Sequence, residues 1–402
     1  MGQAVIFCCT NAAGTCIILF KGGDIVKIMY ISNGSLGMYD GSSARPVASQ
    51  RVEQLARTLR QLEQQHAWKT EGEGAKFMHQ HNPYANAAEQ MRGKVTAVAP
   101  HHEGIIYAVD LGRTGGMYTK NPFDPDEPEG LVTSAVGFYA RDMVRHGDSI
   151  YASIREGAES HIVRIDPENG RYESLTEGDT LERHPFIRED GLEIYFDMCG
   201  YARDDENRII ARGPSGIACM DISSGEIREL YSDPDTEFLK YSHIGGVQRM
   251  LVRPYKAKHA ENPLGCLLAP FYAVVGFVHF FSSINAARKG KSAPLAAGKS
   301  EAARYPDEKI TIDGIRIDPK IIAREQQKHK DEYPGLLPRD WQLVAIQPDG
   351  SLQTLQHGVL DYLPLDDGGY IYSNGAHVFQ VNAAGERKLL FKERLVSDML
   401  LL

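Results

Sequence analysis

The sequence predicts an all-β chain, a six-bladed β-propeller closed by N- and C-terminal strands that share one blade. Three observations predict it. A hairpin with a polar, Gly-containing turn recurs as VRIDPENGRYESL, CMDISSGEIRELY, VAIQPDGSLQTL, FQVNAAGERKLL and, in degenerate form, ILFKGGDIVKIMY. Setting aside one helical excursion and one long inter-strand insertion leaves roughly 43 residues per unit, within the range of propeller repeats. The chain ends are complementary. The C-terminal VSDMLLL has no local partner and the N-terminal strands lack an innermost one, so together they complete a sheet and leave no bare edge.

Taken in order, residues 4–31 read as three strands, AVIFCC, CIILF and IVKIMY, separated by Asn/Gly and Lys/Gly/Asp turns. They are assigned to the closing blade, with bounds 1–32 and 394–402. Asn33-Gly34 is a hairpin-turn dipeptide. Residues 33–93 are assigned to a helical excursion and linker. Val52, Leu55, Leu59 and Leu62 recur at spacings of three and four across 46–68, opposite a face of Arg, Gln and Glu. That is a helix lying on the main domain, too short a pattern for a sustained coiled coil. Blades occupy 94–256 and 340–393, with units starting near 94, 137, 184, 238 and 359. The unit at 184–231 is the clearest, with HPFIREDGLEIYF turning at Glu189-Asp190-Gly191 and IACMDISSGEIRELY turning at Ser224-Gly225. The unit at 238–255 breaks off after two strands and resumes at QLVAIQPDGSLQTL (342–355), so 257–339 is an insertion. Within it, YPDEKITIDGIRI (305–317) reads as a hairpin and 318–332 as a short polar helix.

HPFIREDGLEIYF resembles the strand-turn-strand signature of the TolB-like six-bladed propellers through Pro185, Phe186, Asp190, Gly191, Ile194 and Phe196. DYLPLDDGGYIYS fits more loosely through Asp367, Gly368 and Ile371. The resemblance is one of repeat type and covers roughly 94–256 and 340–402. TolB itself is exported and has a separate N-terminal domain, so its location and partners do not carry over, and a propeller hosts binders and enzymes alike.

The insertion holds the most unusual composition. Residues 264–285, LGCLLAPFYAVVGFVHFFSSIN, carry no formal charge and are flanked by basic residues. Both ends must return to neighbouring strands, so a single membrane span is excluded. The segment fits an in-plane contact with a membrane surface, a protein interface or burial against the propeller. Contact residues are Leu267, Leu268, Phe271, Tyr272, Val275, Phe277, Phe280 and Phe281, with Arg288, Lys289 and Lys291 facing anionic groups.

Composition bounds the rest. The 402 residues carry a net charge of −9, which argues against nucleic acid as a partner of the whole chain. The start MGQAVIFCCT has no basic n-region, so no secretory signal is expected, and six cysteines without a CxxC suit a cytoplasmic protein. Gly290-Lys291-Ser292 and Gly298-Lys299-Ser300 lack the upstream glycine of a phosphate loop. His79/His81 and His101/His102 have no ligand partner at metal-binding spacing, so no metal and no cofactor are expected. No Gly-x-Ser-x-Gly elbow is present. What remains is the axial channel, with Arg141 or Asp142, His184, Tyr241 or His243, Asp361 and Asp398 as the residues that alternation turns inward. The residues read as lining the channel are Asp142, His184, His243, Asp361 and Asp398.

These features predict a non-enzymatic propeller scaffold, cytoplasmic, binding a protein partner and attached peripherally to a membrane face through 264–285. Two alternatives stand beside it. One is a propeller enzyme acting on a small polar or sugar-like substrate at the channel mouth. The other is a soluble interaction hub. A small-molecule ligand in the channel fits the first of these.

Overall fold

The computed structural model describes residues 7–10, 16–19, 26–67, 93–102, 104–112, 114–124, 126–255, 310–313, 315–329 and 332–402. The chain is mostly β, and its strands form four-stranded antiparallel sheets. Sheet I joins the two chain ends, in the order β29 (Val396–Leu401), β3 (Ile28–Ser32), β4 (Ser35–Tyr39), β5 (Ala44–Val47). Sheet II is β6 (Lys94–His101), β7 (Gly104–Asp110), β8 (Thr114–Lys120) and β9 (Gly130–Val136). Sheet III is β10 (Ala140–His146), β11 (Ser149–Glu156), β12 (Glu159–Ile165) and β13 (Tyr172–Ser174). Sheet IV is β14 (Thr180–Ile187), β15 (Glu193–Arg203), β17 (Gly216–Asp221) and β18 (Ile227–Tyr231), with β16 (Ile209–Arg212) paired to the far end of β15, and a parallel contact at Ser160–Leu181 joins β14 to β12 of sheet III. Sheet V is β19 (Thr236–Ile244), β20 (Val247–Pro254), β23 (Gln342–Ile346) and β24 (Leu352–His357). Sheet VI is β25 (Asp361–Pro364), β26 (Tyr370–Ser373), β27 (His377–Val381) and β28 (Arg387–Lys392).

Alternation of apolar residues gives each sheet two apolar faces, and consecutive sheets bury them against each other. Met29, Leu36 and Met38 of sheet I pack with Val98, Ile105 and Tyr107 of sheet II. Ala108 and Met117 meet Ala140 and Ile150 at the II–III seam, and Tyr151 and Ile162 meet Ile194 and Phe196 at III–IV. Tyr195 and Ile217 meet Phe238 and Met250 at IV–V; Leu343 meets Tyr362 and Phe379 at V–VI. Ile371, Val378 and Phe391 of sheet VI pack on Ile28, Tyr30 and Val396 of sheet I. The tight turns carry their own chemistry. At the β17–β18 turn the Asp221 carboxylate accepts the backbone N–H groups of Ser223 and Ser224 at 2.9 and 2.8 Å.

The insertion lies between β20 and β23, which pair directly from Gln248–Ile346 to Val252–Gln342. Its return portion folds as the hairpin β21 (Ile310–Ile312) and β22 (Ile315–Ile317), then helix α2 (Pro319–His329). Ile317 and Ile322 bury with Leu337 and Trp341, with Ile310, Ile312, Ile315 and Leu360 around them, which docks this portion beside sheets V and VI.

Two assignments of the sequence reading change at the N-terminus. The direct partner of the C-terminal strand is β3, the third of the strands read in 4–31, while β1 (Phe7–Thr10) and β2 (Cys16–Leu19) pair, among the described residues, with each other and not with sheet I. Residues 35–47, read as part of the excursion, supply the two outer strands of sheet I. The Asn33-Gly34 dipeptide makes the turn, with φ 49° and 75°, and an apolar SLGMY strand follows it, buried from Leu36 to Tyr39. The helix α1 then begins at Gln50 and runs to Ala67, with Ser49 capping it: the Ser49 Oγ accepts the Val52 N–H at 3.3 Å.

Candidate functional site

The first strand of most sheets is irregular at one place. The ladder slips between Val95 and Ala97 in β6, Ala140 and Met143 in β10, Arg183 and Phe186 in β14, Leu239 and Ser242 in β19, and Ser397 and Leu400 in β29. A bulge leaves residues unpaired and re-aims their side chains. Of the residues released, Thr96, Arg141 with Asp142, His184, Lys240 and Asp398 line one cavity of roughly 630 Å3, while Tyr241 and Met399 enter apolar seams. Asp361, at the start of the unbulged β25, completes the set.

The backbone is strained at these places. His184, Lys240 and Asp398 have φ of 49°, 48° and 49°, in the left-handed region that a bulge of this kind normally reserves for glycine. An L-residue held there costs about 1–2 kcal/mol. Among the described residues, eight non-glycine residues have positive φ, and six of them (Asn33, His184, Lys240, Asp313, Leu395, Asp398) line this cavity. Three of the six, His184, Lys240 and Asp398, sit at bulges, whereas Asn33, Asp313 and Leu395 sit in turns.

Ion pairs knit one part of the lining. The His184 ring nitrogens face two carboxylates, Nδ1 at 2.6 Å from Asp197 and Nε2 at 3.5 Å from Asp142. Arg183 reaches Asp142 at 3.4 Å and Asp313, at the tip of the insertion hairpin, at 2.7 Å. Arg253 bridges Glu237 at 2.6 Å and Asp313 at 3.1 Å, and its guanidinium lies over the Trp341 ring. Arg212 pairs with the other Glu237 oxygen, and Lys240 with Asp361 Oδ1. The Lys240 backbone N–H donates to Asp197 at 3.1 Å, which ties the β19 bulge to sheet IV.

These partners set protonation. Burial alone would disfavour the charged form of His184, but Asp142 and Asp197 outweigh it and raise its pKa. Burial would likewise raise Asp313 and Asp142; Arg183 and Arg253 hold the first well below the usual carboxylate range, and His184 and Arg183 lower the second. Burial would lower Lys240, but Asp361 and Asp398 raise it. Asp398 behaves in the opposite way. Burial, against the pull of Lys240 and with the repulsion of Asp142 and Asp361, pushes its pKa up to about 8. It keeps a proton at neutral pH, while its Oδ2 accepts the Val98 N–H at 2.7 Å.

Of the residues predicted from sequence, the fold brings Asp142, His184, Asp361 and Asp398 together. His243 stands on β19 opposite Gln248, near the turn to β20, and is not among the residues lining the cavity. The bulge after Leu239 is the reason: it brings Lys240 into the lining and sets Tyr241 in the apolar seam with Tyr195 and Phe238. Alternation fails again at Arg141 and Asp142, read as a choice of one, because both line the cavity. Lys240, Arg183, Arg212, Arg253 and Asp313 were missed. A polar residue directly before an apolar one recurs in the first strands, as Asp142-Met143, His184-Pro185, Asp361-Tyr362 and Asp398-Met399, and Lys240-Tyr241 fits that position.

Outside the cavity, the fold supplies His101 and His102 with a carboxylate that their sequence spacing did not offer. Glu168 of the β12–β13 turn approaches His102 Nε2 at 3.2 Å, while Arg145 Nη1 sits 3.1 Å from His101 Nδ1. The His79/His81 pair and the whole apolar segment, with Leu267, Leu268, Phe271, Tyr272, Val275, Phe277, Phe280, Phe281, Arg288, Lys289 and Lys291, lie outside the described residues. No helix among the described residues is long and apolar enough to cross a membrane.

No family model and no curated protein matches the chain. Among solved structures it is similar to TolB from Acinetobacter baumannii, with a TM-score of 0.44 and 10% identity over 93% of this chain and 66% of that one. It is also similar to a chain of a nidogen/laminin complex, with a TM-score of 0.43 and 8% identity over 93% of this chain and 97% of that one. A putative TolB from Agrobacterium tumefaciens gives a TM-score of 0.39 and 12% identity over 74% and 80% of the two chains. The chain thus spans just under two thirds of the Acinetobacter protein it resembles.

Proposed function

We propose that the chain closes into a six-bladed propeller and that its axial cavity receives a small polar ligand. The closure rests on six apolar seams, the last of which joins sheet VI to sheet I. The ligand reading rests on one observation: three bulge residues held at positive φ, His184, Lys240 and Asp398, line a single charged cavity. Strain of this kind persists where the surroundings over-determine it, and it clusters at sites that hold something. The ligand is either only bound or also turned over. His184, Lys240 and the protonated Asp398 supply groups able to move a proton to a polar substrate.

The test is a thermal-shift screen of purified full-length protein against a panel of polar metabolites. One or more compounds should raise the melting temperature by a few degrees. Ser397→Trp, which fills the cavity from β29, should abolish the shift and keep the circular dichroism spectrum. A shift that survives Ser397→Trp places the ligand elsewhere, and a panel without any hit leaves the cavity a water-filled axis.

A second reading keeps the propeller as a scaffold whose insertion contacts a membrane face or a protein partner. Its support is the stem of the excursion. Arg253, at the end of β20, pairs with Asp313 in the return hairpin, so the described residues on either side of the insertion's first part lie side by side. A segment tethered in this way leaves and re-enters on one side of a surface, as an in-plane contact requires. Flotation with vesicles containing phosphatidylserine should carry the full chain upward and leave a 260–300 deletion at the bottom. Equal behaviour of the two ends the membrane reading.

A further inference from the structure

The cations lining the cavity are not equal. Arg183, His184, Arg212, Lys240 and Arg253 each face at least one carboxylate. Arg141 has no hydrogen bond or ion pair among the described residues, although it lines the same cavity on the β10 bulge. Its neighbour Asp142 is engaged by Arg183 and His184. Arg141 is half-buried, so its five N–H donors reach the solvent of the cavity and are free to take an anion.

Two acceptor and donor positions are open as well. Asp361 is 4% exposed; its Oδ1 holds Lys240, and its Oδ2 is buried with no hydrogen-bond partner. Asp398 has one oxygen on the Val98 N–H and the other uncommitted. Burial among Asp142 and Asp361 keeps it protonated near neutral pH, so it offers an O–H donor. Every other charged group around the cavity faces an opposite charge, although the Arg212 Nε is buried without a hydrogen bond. The three vacant positions therefore define the complement of a ligand: an anionic group, a hydroxyl that donates, and an oxygen that accepts.

We propose that the ligand is a small hydroxylated organic anion, its carboxylate or phosphate held by Arg141 and its hydroxyl groups by Asp361 and Asp398. This rests on the cavity being a ligand site. A neutral sugar would leave Arg141 without a counter-charge. A cationic ligand would set a second positive group beside Arg141, Arg183 and Lys240. An anion instead gives Arg141 the bidentate partner that a guanidinium fits best.

The experiment is calorimetry at neutral pH and low salt with four probes on the full chain. Gluconate and glucose 6-phosphate are the anions, glucose the neutral control and glucosamine the cationic one. The anions should bind about tenfold or more tightly than glucose, since a hydrogen bond to a charged group is worth more than a neutral one. R141Q should lose that advantage while melting close to the wild type, and R141K should keep part of it. D361N should weaken gluconate and glucose alike, because it alters the hydroxyl partner and not the anion partner. The relative affinity of gluconate and glucose 6-phosphate distinguishes carboxylate from phosphate. If glucose or glucosamine binds as well as the anions, or R141Q leaves gluconate binding intact, the anion class is overturned and the ligand reading survives. If none of the four binds at millimolar concentration, the anion class is overturned too, and the ligand reading is then decided by the metabolite screen with Ser397→Trp.

Discussion

The cavity has two unlike halves. On the side walled by β14, β19 and the insertion hairpin, Arg183, Arg253, Arg212, Glu237 and Asp313 form one continuous chain of ion pairs. On the side walled by β29, β6 and β10, Arg141 has no partner and Asp398 holds a proton instead of a counter-ion. The same device, a bulge in a first strand, serves both sides. What differs is whether the released side chain meets an opposite charge carried by another element. The closed half fixes the hairpin of the insertion to the sheets; the open half has the unfilled valences. The difference assigns architecture to one half and ligand chemistry to the other, and it can be broken by substituting across it.

The largest effect belongs to the closed half. Glu237 is 3% exposed and answers two guanidiniums, Arg212 and Arg253. Glu237→Ala leaves Arg212 without a carboxylate and Arg253 with Asp313 alone, in a buried setting, which should cost about 3–5 kcal/mol of stability. Urea denaturation of the purified variant measures it. A loss below 1 kcal/mol would mean that the network is solvated and that the two halves do not differ.

The pH dependence should also separate them. Asp398 has a folded pKa of about 8 against the usual 3.8. A raised pKa means the folded state binds the proton more tightly. Its contribution is therefore complete below about pH 4 and is lost as pH rises toward 8. Asp313 is depressed, so its contribution is present above the unfolded carboxylate range and lost as pH falls below it. His184 is raised, so it adds a decline above its ordinary value of 6.5. The urea midpoint of Asp398→Asn, followed from pH 4 to 9, should fall less steeply than that of the wild type, and the difference should widen toward the alkaline end. Parallel profiles would show that Asp398 is ionised throughout.

The two halves were also unequally visible before the structure. Asp142, His184, Asp361 and Asp398 were legible because each stands at one repeated position of a first strand, before Met, Pro or Tyr. Lys240 occupies the same position but was hidden by strict alternation, which pointed to Tyr241 or His243; a bulge breaks the period of two that such readings assume. Asp313 was read as part of a hairpin, yet its partners Arg183 and Arg253 lie 130 and 60 residues away, and only the fold brings such charges together. The outer hairpins were legible because their turns are chemical: Asp221 and Asp349 each accept backbone N–H groups of the residues that follow. At the N-terminus the Asn33-Gly34 turn was recognised and its second strand was not. The ARPV edge strand beyond it contains Pro46, which reads as a strand breaker but sits at the outer edge of sheet I, where no ladder partner is needed.

A smaller effect tests how the insertion is held. Asp313→Asn removes the counter-charge shared by Arg183 and Arg253 but leaves each a second carboxylate, Asp142 and Glu237. The cost should be about 1–3 kcal/mol, the range for a hydrogen bond to a charged group. Hydrogen exchange of 310–329 reports it directly. That segment should exchange faster in the variant while β14 and β19 keep their protection. Faster exchange of all three would mean that the hairpin supports the sheets rather than resting on them.

The smallest effect is the most informative about the open half. Arg141 carries a half-buried guanidinium in no ion pair among the described residues, and burial together with the nearby Arg183 already lowers its pKa against the pull of Asp142. Arg141→Gln therefore removes a desolvated charge and breaks no ion pair. Its effect on stability should lie within about 0.5 kcal/mol of zero, the range for sites without a broken partner. The urea midpoint in the absence of ligand is the measurement. A loss comparable to that of Glu237→Ala would show that Arg141 has a partner holding the fold together, and the open half would then be closed.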